Sequence, residues 1–289
     1  MTSRTPSRNH PSASPRKSFP ELGRRIASAV VLATLALLAL IASPWSFLVL
    51  AIGSATLLLW EWGGATRGTG RDAVTILQVL CVSVLVICIA FHNYAMGWIL
   101  FGGLAAVLGI VSYRTKPARE ATFDLAGLVY VALPAAALIW LRSDPAYGLT
   151  AVLFVLVVTW TTDTASYAGG RTFGGPKFAP TISPKKTWSG FVIGTATPIL
   201  VGVAFALYLG NSSAVALALV ALGLAFSCQM GDLLESALKR SLGIKDMSQL
   251  IPGHGGFFDR IDSLLVAAVV AALIALRDPA SPGAGLMIW

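Results

Sequence analysis

Residues 232–262 read DLLESALKRSLGIKDMSQLIPGHGGFFDRID, a polar segment in a chain made mostly of apolar runs. It holds the acids Asp232, Glu235, Asp246, Asp259 and Asp262, the cations Lys239, Arg240, Lys245 and Arg260, and His254. Asp232, Glu235, Ser236 and Lys239 are spaced i, i+3, i+4 and i+7, which puts them on one helical face. Asp259 and Asp262 are three apart where the last apolar run begins, so on a helix both carboxylates point the same way. Carboxylates gathered at one depth repel unless a cation sits among them. Oxygen donors with few histidines suit a hard ion such as Mg²⁺, which keeps waters and binds phosphates. The plainer reading is a solvated loop whose acids pair with Arg260 and Lys239, and Asp246 is assigned to it. Asp259 and Asp262 abut hydrocarbon, where acids are costly and are read as functional.

Three further stretches have chemistry-bearing composition. In Pro-Gly-His-Gly-Gly, residues 252–256, the glycines let backbone N–H groups approach an anion, and His254 can donate to a phosphate or position an aspartate. A glycine-rich turn and a lone histidine are more often structural; standing five residues before Asp259 adds weight. The loop GGRTFGGPKFAPTISPKKTWSG, residues 169–190, joins a glycine-rich start to Lys177, Lys185 and Lys186, with hydroxyls at Ser183, Thr187 and Ser189. That composition suits a triphosphate cradle, although the order is not that of a P-loop. A basic loop that merely obeys the rule for cytoplasmic charge is the alternative, and both stand. Just upstream, Asp163 closes an apolar run with no cation beside it, which makes it a functional candidate, with a water-reached helix end as the bland reading.

These residues need elements to hold them, and composition says what kind. The chain is 56% hydrophobic and 12% charged with mean hydropathy +0.76, whereas soluble domains carry roughly 25% charged residues. An all-α, polytopic membrane protein is expected, with two polar cytoplasmic loops. Nine transmembrane helices are placed near 26–42, 45–60, 73–91, 95–111, 123–140, 147–168, 190–209, 213–230 and 262–277. The tightest divisions are the hairpin at Ser43-Pro44 and the turn at His92-Asn93. With the N-terminus in the cytoplasm, 19 of the 21 Lys and Arg fall inside and only Arg142 and Arg277 outside. This topology puts both polar loops, and any site they build, on the cytoplasmic side of the cell (inner) membrane. Residues 1–25, rich in Ser, Pro and Arg with Glu21 as their only acid, read as a disordered basic tail. Residues 26–289 read as one membrane domain. Cys81, Cys88 and Cys228 lie within apolar runs and read as small core residues. Glu61, in Trp-Glu-Trp-Gly-Gly, reads as interfacial.

The string SALKRSLGIKDMSQLIPGHGGFFDRID, residues 236–262, resembles the signature of the phosphatidate cytidylyltransferase (CDP-diacylglycerol synthase) family. Ser-x-Leu-Lys-Arg is followed by Lys-Asp and then Pro-x-His-Gly-Gly-x-x-Asp-Arg-x-Asp. Residues 159–190 resemble that family's second block, and the two together cover about a third of the chain; Ser189 stands where the family usually has Glu. The resemblance implies that CTP and phosphatidic acid give CDP-diacylglycerol and pyrophosphate with Mg²⁺. It implies Asp232, Asp259 and Asp262 as metal carboxylates, with Lys186 and His254 also catalytic. It implies substrate binding by Asp163, Arg171, Ser183, Lys185, Lys186, Ser236, Lys239, Arg240, Lys245, Gly255, Gly256 and Arg260. The expected partners are CTP, phosphatidic acid and membrane lipid, with no nucleic acid and with room for a homodimer. Two other classes remain: a Mg²⁺-dependent enzyme joining a sugar phosphate to a polyprenyl phosphate, and a transporter coupled through Asp163 and Asp232.

Overall fold

The computed structural model describes residues 19–251 and 255–289. The order is α1 (Phe19–Ala42), α2 (Pro44–Arg67), α3 (Ala73–Ala90), α4 (Tyr94–Thr115), α5 (Ala118–Arg142) and α6 (Gly148–Phe173). A two-stranded hairpin, β1 (Lys177–Ala179) and β2 (Ser183–Thr187), precedes α7 (Trp188–Ala196), α8 (Pro198–Leu209), α9 (Ala214–Ser241), α10 (Phe258–Ala275) and α11 (Pro282–Met287). The all-α expectation holds. Residues 19–25, within the tail expected over 1–25, belong to α1. The rest of that tail lies outside the described residues.

Among the described residues, seven helices are long and apolar enough to cross a membrane. The expected nine included two more, and both are helical but weaker in this respect. The described apolar part of α1 covers only Val30–Ala42. In α10, Asp259, Arg260 and Asp262 crowd the start of an 18-residue helix. The span expected at 190–209 is a bent pair, counted as one crossing over Trp188–Leu209. It breaks between α7 and α8, where Pro198 offers no N–H.

Both tight divisions are built as their residues dictate. Ser43 caps α2, its hydroxyl accepting the Ser46 N–H at 3.0 Å, and Pro44 takes the first helical position. The turn after α3 closes with the Asn93 N–H donating to the Cys88 carbonyl at 2.8 Å, and His92 takes a positive φ of 58°.

At the polar end of α2–α5 a buried ion network replaces apolar packing. Arg67 pairs with Asp72 and Asp124, each at 2.8 Å, and Lys116 also reaches Asp124 at 2.8 Å. Ser112 donates to the same carboxylate at 2.9 Å, so the fully buried Asp124 has partners on both oxygens. Asp72 also caps α3. Its partial burial works to raise its pKa, but the Arg67 guanidinium and the Thr75 N–H and hydroxyl outweigh that and hold it at about 2. At the other end, Asp144 accepts the N–H groups of Ala146, Tyr147, Gly283 and Ala284 and the Ser281 hydroxyl, which fastens α11 to the bundle.

The second half of the chain is arranged around α9, which packs on α6, α8 and α10, while α10 also packs on α5. The hairpin is brought in by a close crossing of α7 on α6. A Cβ on Gly190 would lie 2.7 Å from the Ser166 carbonyl oxygen and 3.3 Å from Gly170, so only glycine lets the backbones approach this far.

Candidate active site

The polar residues of the second half converge on one cavity of about 790 Å³ between α6, β2, α7, α9 and α10. Its acid wall is built from the helical face read in the sequence. On α9, Lys239 pairs with Glu235 at 2.7 Å one turn apart, and the Ser236 hydroxyl donates to Asp232 at 3.4 Å. Asp262 enters from α10, steadied by the Ser263 N–H at 2.8 Å. Asp163 enters from α6 and accepts the Ser263 hydroxyl at 3.2 Å, which joins α6 to α10. The opposite wall is cationic. Lys186 on β2 reaches across to Asp232 at 2.8 Å, and Lys185 lines the same wall.

Asp232, Glu235 and Asp262 offer ligand oxygens that all lie within 4.8 Å of one another. Glu235 is 1% exposed, and its Oε1 is buried without a hydrogen-bond partner, while Oε2 meets Lys239. A buried, unpartnered carboxylate oxygen beside two further carboxylates fits a hard cation with oxygen ligands.

This group differs from the expected set in one member. Asp259 lines the cavity beside Glu235 but is not one of the three, and both of its oxygens have protein donors. Oδ1 accepts the Lys239 ammonium at 2.6 Å, and Oδ2 accepts the N–H groups of Gly256 at 2.8 Å and Met247 at 3.2 Å. Glu235 stands where Asp259 was expected. Asp259 closes the loop before α10 and, through Lys239, is tied to Glu235.

The remaining expected residues divide by position. Asp163, Arg171, Lys185, Lys186, Lys239 and Arg260 line the cavity. Arg171 is exposed and donates to the Tyr167 hydroxyl at 2.8 Å. Asp246, assigned to solvent, is exposed, at the edge of the cavity. Ser183, Arg240 and Lys245 do not line it. Ser183 opens β2, Lys245 is exposed, and Arg240 braces the hairpin by donating to the Ile182 carbonyl at 3.3 Å. Ser236 acts behind Asp232, Gly255 takes the positive φ of 88° that its turn needs, and Gly256 serves Asp259. His254 lies outside the described residues.

Sequence reasoning missed Glu61. It lies 1% exposed within α2 and accepts the N–H groups of Phe257 at 2.8 Å and Phe258 at 2.6 Å, along with the Ser248 hydroxyl. The signal was available, since an acid inside an apolar run is costly unless it has work to do.

The Cytidylyltransferase family profile matches residues 23–276. The chain is 34% identical over 268 residues to "Phosphatidate cytidylyltransferase" of Brucella suis biovar 1 (strain 1330), covering 91% of this chain and 97% of the relative. It is 30% identical to the protein of that name from Haemophilus influenzae, covering 85% of this chain and 96% of the relative. A 157-residue stretch is 38% identical to the one from Rickettsia bellii, covering 52% and 68% respectively. Since the profile runs from α1 to the end of α10 and takes in every acid of the cavity wall, this chain, a nucleotidyltransferase, belongs to the cytidylyltransferase family.

Proposed function

We propose that the chain makes CDP-diacylglycerol from CTP and phosphatidic acid, releasing pyrophosphate. The observation that carries this reading is the facing of Asp232, Glu235 and Asp262 by Lys186 across one cavity at the polar end of membrane-length helices. The phosphate monoester of phosphatidic acid is an anion near neutral pH and can attack the α-phosphorus of CTP without a strong general base. A P–O bond forms to the lipid phosphate, and the bond to the departing pyrophosphate breaks. Bringing two anions together is the difficulty, so positioning and charge neutralisation supply most of the acceleration.

Asp232, Glu235 and Asp262 would hold Mg²⁺, which when bound neutralises phosphate charge. Lys186 and Lys185 approach from the hairpin, where the triphosphate chain is to be met. Lys239 keeps Glu235 oriented by pairing with it. The apolar helices leave the acyl chains in the bilayer while the head group enters the cavity. The concentration of Lys and Arg in segments on one side of the helices supports an inner-membrane placement with the N-terminus and cavity facing the cytoplasm, where nucleotides are.

The deciding experiment is conversion of labelled CTP by purified protein in mixed micelles with phosphatidic acid and Mg²⁺. Release of pyrophosphate and a lipid-bound cytidine label are expected. Turnover of a UDP-sugar with polyprenyl phosphate in place of CTP and phosphatidic acid, or solute flux through liposomes without turnover, would replace this reading.

A further inference from the structure

Glu61 lies in the first half of the chain, yet its carboxylate is spent wholly on the second. Phe257 and Phe258 open α10, and the helix has no side-chain cap of its own. The first N–H groups of a helix are orphaned without an acceptor, and a carboxylate there also meets the positive end of the helix dipole. Glu61 fills that place from another helix, with Oε1 on the Phe257 N–H and Oε2 on the Phe258 N–H. Its Oε1 also accepts the Ser248 hydroxyl, so the loop leading to α10 is held at two points. Room for this depends on Gly256, where a Cβ would lie 2.9 and 3.1 Å from the two Glu61 oxygens and 3.0 Å from Asp259 Oδ2. Trp62, next in the chain, lies 6.0 Å from the Phe258 ring, and its indole N–H donates to the Phe123 carbonyl at 2.9 Å. The end of α2 that carries Glu61 is therefore itself fixed to α5.

We infer that Glu61 is a positioning residue for the acid group: by capping α10 from α2 it sets where Asp262 stands relative to Asp232 and Glu235. This rests on the cytidylyltransferase reading for its effect on turnover, but its effects on cation binding and on backbone order are independent of that reading. Asp262 lies four residues beyond the capped Phe258, about one turn into the helix. A slip or fraying of that first turn moves its carboxylate away from the other two. Glu61 touches none of the three acids in the group, so its influence is transmitted through the backbone of α10.

The test uses the full chain in detergent with Glu61→Ala and Glu61→Gln. Amide exchange at residues 256–258 is measured in chelator, Mn²⁺ affinity by electron paramagnetic resonance, and turnover kinetics with CTP and phosphatidic acid. In Glu61→Ala, exchange at Phe257 and Phe258 rises, Mn²⁺ binding weakens about 10–100-fold, as is usual when an outer support is lost, and kcat falls while KM for CTP stays close to wild type. Glu61→Gln keeps one acceptor oxygen and falls between the two. Wild-type Mn²⁺ affinity in folded Glu61→Ala, with only the unfolding temperature lowered, would make Glu61 a mere stabiliser and overturn the inference. Should Glu61→Ala not be recovered folded, Glu61→Gln decides, and wild-type exchange and Mn²⁺ affinity in it overturn the inference equally. If wild type turns over neither substrate, the functional reading fails while the exchange and Mn²⁺ measurements still judge Glu61.

Discussion

Glu235→Gln separates the acid group of the structure from the set expected by resemblance. The substitution keeps volume and removes one charge. At an effective dielectric of about 20, two unit charges no more than 4.8 Å apart repel by at least about 3.5 kcal/mol, so loss of the Glu235 charge relieves at least about 7 kcal/mol across its pairs with Asp232 and Asp262. The same loss removes its attraction to Lys239 at 2.7 Å, about 6 kcal/mol on the same scale. The relief at least offsets the loss, and Lys239 keeps Asp259 as a partner. Stability in chelator is therefore expected not to fall. The Mg²⁺-linked part behaves differently. Binding at 100 times Kd stabilises by about 2.7 kcal/mol, and tenfold weaker binding at the same concentration leaves about 1.4 kcal/mol.

The assay is unfolding of wild type, Glu235→Gln and Asp259→Asn in detergent, with EDTA and across a Mg²⁺ series, beside the Mg²⁺ midpoint of turnover. Glu235→Gln should lose much of the Mg²⁺-induced stabilisation and shift the midpoint upward. Asp259→Asn should lose stability already in EDTA, because it unties Lys239 and the loop amides, and should abolish pyrophosphate release while still inserting. A wild-type Mg²⁺ response in Glu235→Gln, with a shifted one in Asp259→Asn of unchanged EDTA stability, would return the metal to Asp259 and refute the reasoning.

Lys186→Ala should mainly raise the KM for CTP; an unchanged CTP dependence would remove Lys186 from phosphate contact. Arg67→Met leaves the buried Asp124 with Lys116 as its one remaining ion-pair partner and should destabilise the fold by about 3–5 kcal/mol by chemical unfolding, with turnover per folded molecule retained. For Asp72, whose pKa falls from 3.8 to about 2 on folding, the contribution is complete above the unfolded value and is lost as pH drops from 3.8 towards 2. Asp72→Asn should flatten that acid limb of the stability curve, and an unaltered limb would show that other carboxylates produce it. Replacing Cys81, Cys88 and Cys228 together with Ala should leave activity largely intact in the turnover assay; its loss would give one of these thiols a role.

The helical face at Asp232, Glu235 and Lys239 was legible because i, i+3 and i+7 spacing needs only a helix to become geometry. Asp262 was legible for the same reason. The exchange of Asp259 for Glu235 was not, because it depends on which carboxylate lies within reach of loop amides once the loop closes. Glu61 stayed hidden because its partners lie 187 to 197 residues away in sequence. The Ser-Pro-Lys-Lys run, inside the loop read over 169–190, forms β2. Pro184 is tolerated there because the hairpin has only two strands and an irregular register, so no continuous ladder needs its missing N–H. The expected spans at α1 and α10 fall short of membrane length and apolarity, at α10 because Asp259, Arg260 and Asp262 crowd its start, whereas the span at 190–209 is one crossing despite its bend.

A two-stranded hairpin has little stability of its own in water. The arm that presents Lys185 and Lys186 is kept in shape by borrowed contacts: Phe178 stacked 4.4 Å from Phe191, and the Arg240 guanidinium on the Ile182 carbonyl. Its cations are thus on loan from the helices beneath, and a disturbance at the C-terminal end of α9 would set the arm swinging before it unsettled any transmembrane packing.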